Sequence, residues 1–136
     1  MDALRRWWPG RHRPDREPTD RRGRGQRAEA LALAHLERAG LAGLERNVRA
    51  GRGEIDLVCR DGDTLVFVEV RARRGGALVT ATESLSARKC AKVRETAERL
   101  IARRPEWQAL YCRFDVVAVT ITTDRAAKIE WLPDAF

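Results

Sequence analysis

Two acidic residues interrupt apolar segments of the chain, and they carry its clearest chemical signal. Asp56 lies within the run I-D-L-V, and Glu69 lies within the run V-F-V-E-V. A buried carboxylate must be hydrogen-bonded, ion-paired or bound to a metal ion, because an isolated buried charge is very costly. Arg71 follows Glu69 by two residues, which places both on the same face of a strand. The three side chains are therefore predicted to form a site.

The turn between the two strands decides whether the carboxylates meet. If the D-G-D segment turns in two residues, with glycine first as a type II′ turn prefers, Asp56 lies opposite Glu69 and Glu54 lies opposite Arg71. A three-residue loop would place Asp56 opposite Val68 instead. Carboxylates that face each other repel unless a cation lies between them.

The chemistry of a paired Asp56 and Glu69 favours a hard cation. Oxygen ligands select Mg²⁺ or Mn²⁺, which keep water ligands and accept phosphate oxygens. Such an ion can activate water and neutralise the charge that develops on a phosphodiester, with Arg71 stabilising the anionic transition state. On spacing alone, a surface hairpin with a charged, solvated outer face explains the pattern equally well.

The charge of the chain points to a polyanionic partner. The 136 residues carry a net charge of +7, which favours nucleic acid first and an anionic membrane surface second. Residues 1–24 hold eight Arg and four acidic residues, so the rest of the chain has a net charge of only +3. With three prolines and no periodicity, residues 1–24 are predicted to be a disordered basic tail. Residues 25–136 are predicted to form a single domain.

The remaining composition indicates a cytoplasmic protein. The three cysteines are widely spaced without a C-x-x-C motif, which is typical of reduced thiols in the cytosol rather than a disulfide framework or a zinc site. No apolar run is long enough to cross a bilayer, and the N-terminus lacks the apolar region of a signal peptide. We therefore expect no membrane association.

Hydrophobic periodicity and turn signals predict the element order α-β-β-β-α-β-β. The first helix should end at Gly40, and Ser86 should cap the second. The predicted segments are a helix over 25–39, strands over 41–48, 54–60 and 64–73, a helix over 87–104, and strands over 111–121 and 128–132.

Basic side chains of the second helix and of the loop before it form the predicted phosphate-contacting set of the domain. Contacts of this kind position a nucleic acid without reading its sequence. A solvated helix face is an equally good interpretation for each residue taken alone. The set comprises Arg73, Arg74, Arg88, Lys89 and Lys92.

From Gly25 onward the chain resembles the YraN family of small bacterial proteins. The resemblance lies in G-Q-R-A-E-A-L-A-L-A-H-L-E-R-A-G, E-R-N-V-R, the hairpin G-E-I-D-L-V-C-R-D-G-D-T-L-V-F-V-E-V-R-A-R, L-S-A-R-K and R-F-D-V-V-A-V. These segments cover about four-fifths of the chain in the expected order. The family is similar to the PD-(D/E)xK nucleases, which implies a restriction-endonuclease-like αβββαβ core, a mixed central sheet flanked by helices.

The resemblance also implies roles for individual residues. It assigns metal binding and catalysis to Glu29 on the first helix, Asp56 and Glu69, with the basic catalytic position at Arg71. The family usually has Lys at that position, whereas Arg is effectively never deprotonated. Asp115, in R-F-D-V-V-A-V, is interpreted as a structural partner of Arg113 or Arg88, or as a group that supports the site.

The sequence is compatible with three functions. The first is a metal-dependent DNA endonuclease, with structured or branched DNA as one substrate class. The second is a DNA-binding module on the same fold that has lost catalysis with the change to Arg71. The third is a protein-interaction scaffold that docks through the basic tail and its Trp7-Trp8 pair. The analogy to junction-cutting proteins of the superfamily further implies a homodimer.

Overall fold

The structure is a computed structural model that describes residues 21–74, 85–122 and 127–136. Two helices and five strands follow one another in the predicted order, with a short 3-10 turn at Pro105–Trp107 after the second helix. The elements are α1 (Arg21–Arg38), β1 (Ala42–Ala50), β2 (Gly53–Asp61), β3 (Thr64–Arg74), α2 (Ala87–Ala102), β4 (Tyr111–Ile121) and β5 (Ala127–Leu132).

The five strands form one mixed sheet in the spatial order β1-β2-β3-β4-β5. Strands β1, β2 and β3 are joined antiparallel, β3 and β4 run parallel, and β5 returns antiparallel to β4. A parallel neighbour requires a crossover connection, and α2 lies on the chain between β3 and β4. This arrangement confirms the predicted α/β fold with its αβββαβ core.

Each helix covers its own apolar cluster on the sheet. The α1 cluster includes Leu33 and Leu36 against Val66 and Val68, whereas the α2 cluster includes Leu100 against Leu65 and Phe67. Successive β3 side chains thus alternate between the two clusters, as the pleat of a strand requires. Within the described residues, no helix is both long and apolar enough to cross a membrane.

The boundaries of the helices differ from the prediction in two places. Helix α1 begins at Arg21 rather than at residue 25, so the last four residues of the predicted disordered tail are helical. An isolated glycine such as Gly23 weakens a helix without ending it. Helix α2 ends at Ala102 because Arg104 precedes Pro105 and is extended, at φ −128°. Residues 1–20, with the Trp7-Trp8 pair, lie outside the described residues.

The three cysteines are free thiols, as predicted. Cys59 is fully buried in the α1 cluster, and burial raises the pKa of its thiol to about 12. At neutral pH this side chain is therefore a small apolar core residue rather than a nucleophile.

The hairpin has the two-residue turn that the sequence favours. Gly62 has φ +58°, and the pairs Asp61–Thr64 and Val58–Phe67 fix the predicted register. The helix cap is also as predicted, since Ser86 Oγ accepts a hydrogen bond from Lys89 N at 3.1 Å.

Gly53, the first residue of the G-E-I-D segment, lets β2 approach α2 closely. A Cβ atom at this position would lie 1.8 Å from Oγ1 of Thr96. The buried Thr96 hydroxyl is itself held by a 2.8 Å hydrogen bond to the Lys92 carbonyl. Only a residue without a side chain fits here, so the glycine positions the strand that carries Asp56.

Gly53→Ala is expected to lower the free energy of unfolding by about 1 to 3 kcal/mol, because the added methyl group overpacks the β2–α2 contact. Urea denaturation followed by tryptophan fluorescence measures the change. Gly25→Ala is the matched control, since nothing lies within 4 Å of its added Cβ. Alanine in a helix should there raise stability by up to about 1 kcal/mol. Equal stability of Gly53→Ala and the wild type would contradict the close contact.

Candidate functional site

The site forms where β2 and β3 separate. Their ladder runs from Asp61–Thr64 to Leu57–Val68 and ends one pair before Asp56 and Glu69. Beyond this point the Asp56 side chain takes over the role of a backbone acceptor, because its Oδ2 accepts a hydrogen bond from Val70 N at 2.9 Å. The predicted approach of Asp56 to Glu69 is thus present, although the two residues form no backbone pair.

The opposite edge of β2 is also interrupted at Asp56. The β1–β2 register includes Arg46–Leu57 and Val48–Ile55 but omits Asn47, which would pair with Asp56. Asn47 has φ +48°, a left-handed conformation that asparagine adopts more readily than most residues. The strand pairing is therefore interrupted on both sides of Asp56, and its side chain lies beside this interruption.

The Asp56 and Glu69 carboxyl groups interact directly. Glu69 is 5% exposed. The pKa of Asp56 is raised to about 7, chiefly by burial and then by the neighbouring Glu69 charge, and a hydrogen bond between the two carboxyl groups contributes to the rise. The Val70 amide and the Lys89 charge oppose the rise. Near neutral pH the pair holds a proton that either acid alone would release.

Glu29 reaches the same region from α1. Its side chain is 12% exposed, and Oε2 lies 3.8 Å from Arg46 Nη2. The pKa of Glu29 is raised to about 6, chiefly by burial and then by the Asp56 charge, while a hydrogen bond from Asn47 opposes the rise. The structure thus brings Glu29 into electrostatic contact with Asp56, as the assignment to the first helix predicts.

Two basic side chains face Glu69. Lys89 Nζ lies 3.5 Å and Arg71 Nη1 lies 3.8 Å from the same oxygen, Oε1. Both are partly exposed, at 42% for Lys89 and 33% for Arg71, so a ligand can reach them from solvent. Glu69 is thus buried and Asp56 is partly buried, while the cations beside them border the surface.

The other predicted phosphate-contacting residues lie on β3 and α2. Arg88 and Lys92 are exposed on α2, and Arg73 is half-buried near the end of β3. Arg74 is the last residue of β3, and its side chain lies outside the described part of the chain. Their role in binding nucleic acid stays a prediction.

Asp115 belongs to a different cluster. It is fully buried and accepts hydrogen bonds from Arg113, from Trp131 Nε1 at 2.9 Å and from Asp134 N at 2.9 Å. Arg113 is therefore the partner of Asp115, while Arg88 lies exposed on α2. This carboxylate fastens β5 and the C-terminus to β4, as expected of a structural partner.

The donor set fits a hard divalent cation with few protein ligands. Within residues 21–74, 85–122 and 127–136, no three His, Cys, Asp or Glu side chains group closely enough to hold a metal ion. Mg²⁺ usually binds through only one or two carboxylates and keeps several waters. The Asp56–Glu69 pair meets that requirement, and a cation between the two groups would relieve their repulsion. Glu29 does not form a three-residue group with this pair, and its role as a metal ligand stays a prediction.

Asn47 and the contact of Lys89 with Glu69 are absent from the prediction. The asparagine within the E-R-N-V-R segment of a strand was the available signal, since asparagine is depleted in strands. For Lys89 the signal was a basic residue in the first turn of a helix, where acids are favoured. Neither signal identifies the contacting residue. Glu29 lies about 20 residues before Asn47, and Glu69 lies about 20 residues before Lys89.

Comparison with known proteins gives a consistent family assignment. Residues 28–119 match the model of the uncharacterised protein family UPF0102, the YraN family. A UPF0102 protein of Pseudomonas aeruginosa strain LESB58 is 46% identical over 123 residues, which is 90% of this chain and 97% of the relative. A UPF0102 protein of Ectopseudomonas mendocina strain ymp is 47% identical over 112 residues, 82% of this chain and 92% of the relative. The matched region contains the Asp56–Glu69 pair and Lys89, and the chain belongs to the UPF0102 family.

Proposed function

We propose that the protein is a metal-dependent nuclease that hydrolyses phosphodiester bonds of DNA. The observation that carries the proposal is the Asp56–Glu69 carboxyl pair, which lies where the β2–β3 pairing ends and is bordered by Lys89 and Arg71. Buried acids with strongly raised pKa values beside partly exposed cations are typical of functional sites. The reduced cysteines suit the cytoplasm, where such a substrate is present.

The side chains have separate roles in this proposal. Asp56 and Glu69 would hold the divalent cation, which would supply a Lewis acid for the phosphate and lower the pKa of a water molecule. Val70 N fixes the orientation of Asp56 through its 2.9 Å hydrogen bond. Arg71 offers a planar fork of N–H donors that matches two phosphate oxygens.

The bond changes are those of a hydrolysis. A water oxygen bonds to phosphorus while one ester P–O bond breaks. The water gives up one proton to solvent, and the leaving oxygen takes one up, so the products are a phosphate monoester and an alcohol. The positive charges beside the carboxylates stabilise the additional negative charge on the phosphate as the bonds change.

A cleavage assay with purified protein tests this function. Linear duplex, single-stranded, four-way-junction DNA and RNA are incubated with Mg²⁺ or Mn²⁺. We expect nicking of at least one DNA substrate, and we expect Asp56→Ala and Glu69→Ala to reduce it to the level without protein. Asp63→Ala, an exposed residue of the turn between the same strands, should cleave normally. Activity that survives both substitutions and EDTA would contradict the proposal.

A DNA-binding module without catalysis is the second candidate, and Arg71 is the observation that favours it. This function predicts salt-sensitive DNA binding without cleavage by the wild type. Restoration of cleavage by Arg71→Lys would make it the better account. Absence of DNA binding at low salt would contradict both functions.

A scaffold role of the tail would instead be lost on deletion of residues 1–20, which leaves α1 intact.

A further inference from the structure

Two elements bring a cation to the same oxygen of Glu69. Arg71 comes from the strand that carries Glu69, whereas Lys89 comes from the first turn of α2. The lysine is the nearer of the two, at 3.5 Å against 3.8 Å. The site therefore has an ammonium group beside its carboxylate pair, although position 71 does not supply one.

The location of Lys89 is unfavourable for the helix itself. Ser86 is the N-cap, so Lys89 is the third helical residue, where a capping box places Glu or Gln. A positive charge near the positive end of the helix dipole destabilises it by about 0.3 to 1 kcal/mol. The first turn of α2 contains no acidic residue that would offset this. The ion pair with Glu69 is the favourable interaction that opposes this unfavourable interaction with the helix dipole.

An ammonium and a guanidinium do different things beside a carboxylate. The ammonium of lysine is a compact charge with three donors that point in different directions. It can contact Glu69, a water molecule and a phosphate oxygen at the same time. The planar fork of Arg71 is suited instead to gripping two oxygens of one phosphate.

We propose that Lys89 is the catalytic lysine of this site, delivered by α2 in place of the lysine that an E-x-K strand carries at position 71. Its ammonium donates hydrogen bonds to the attacking water and to a non-bridging oxygen of the scissile phosphate, while Arg71 grips the phosphate. Lys89 stays protonated throughout, so the bond changes are those of the hydrolysis given above. This inference rests on the proposed nuclease function and deepens it.

Single-turnover cleavage with protein in saturating excess over DNA tests the role. We expect Lys89→Met to lower the rate by about 100-fold or more, as loss of one transition-state donor does. Lys128→Met, which removes an exposed lysine of β5, is the matched control and should stay within about twofold. The double variant Lys89→Met/Arg71→Lys should recover at least about tenfold, because the strand then supplies the ammonium.

The outcomes separate this inference from the nuclease function. If the wild type cleaves and Lys89→Met cleaves equally fast at saturation, with only weaker DNA binding, Lys89 is a simple phosphate contact and the inference is wrong. A double variant as slow as Lys89→Met would also overturn it. If the wild type cleaves none of the substrates, the nuclease function itself fails, and the inference fails with it.

A second measurement needs neither DNA nor metal. The Lys89 charge lowers the pKa of Asp56 in the folded protein. In carboxyl-carbon NMR titrations with EDTA present, Lys89→Met should therefore move the Asp56 midpoint to higher pH, while Lys128→Met should leave it unchanged. An unchanged midpoint in Lys89→Met would show that the ammonium does not lie at the carboxylate pair. Thermal unfolding confirms that each variant is folded.

Discussion

Asp115→Ala is expected to lower the free energy of unfolding by about 3 to 5 kcal/mol at pH 7. Two donors of Arg113, the Trp131 indole and the Asp134 backbone amide all donate hydrogen bonds to this fully buried carboxylate. Removing it leaves those donors facing a fully buried position without an acceptor, which costs about 1 to 3 kcal/mol for each neutral group and more for a charged one. Urea denaturation of the wild type and the variant measures the difference.

Two further variants show whether burial of Asp115 causes the loss. Asp115→Asn should be nearly as unstable, because an amide nitrogen would face donors where the carboxylate has only acceptors. Asp61→Ala also removes a carboxylate partner of Arg113, at 3.5 Å, but Asp61 is about half exposed. That change should cost at most about 1 kcal/mol. A loss below about 1 kcal/mol for Asp115→Ala would contradict the structural role.

The hairpin could be predicted from the sequence because every signal for it is local. Gly62 favours the two-residue turn, and the alternating apolar residues on either side then leave one register that buries them on both faces. The start of α2 was predictable for the same reason, since Ser86 caps the first turn directly. Asp56 and Glu69 could thus be paired by counting from the turn.

The surroundings of the pair depend on contacts that local signals do not encode. The β2–β3 ladder ends at Leu57–Val68, beyond which β3 stays paired along β4, more than 40 residues away in the chain. The angle of α2 on the sheet decides that Lys89 rather than Lys92 reaches Glu69. Such distances are set by tertiary packing, so residue spacing could indicate a basic helix face but not its contact.

Asp56→Asn is expected to stabilise the metal-free protein above pH 7, although it should abolish cleavage. In the folded state the pKa of Asp56 is about 7, against an ordinary value of 3.8, chiefly because of burial and then of the Glu69 charge. Between these pH values the folded protein binds a proton that the unfolded chain does not. The contribution of this group is therefore fully present below about pH 4 and is lost as the pH rises through 7.

Asparagine at position 56 removes the repulsion and keeps the hydrogen bonds. Its amide oxygen can still accept from Val70 N, and its nitrogen can donate to Glu69. We expect a gain of roughly 2 to 4 kcal/mol at pH 8 and little gain at about pH 4, since a displaced pKa corresponds to about 1.4 kcal/mol per pH unit. Thermal unfolding in EDTA at the two pH values measures it, with Asp63→Asn in the exposed turn as the control.

Divalent metal should reverse this advantage. A cation bound between Asp56 and Glu69 compensates the charge that destabilises the wild type, and binding to the folded state alone raises its stability further. With one carboxylate gone, Asp56→Asn should gain much less from Mn²⁺ than the wild type does at pH 8. A variant that is no more stable than the wild type at pH 8 in EDTA would contradict the repulsion. Equal stabilisation of the two proteins by Mn²⁺ would show that the metal binds elsewhere. The site loses stability when Asp56 and Glu69 are both charged, and it regains that stability only when a cation binds between them.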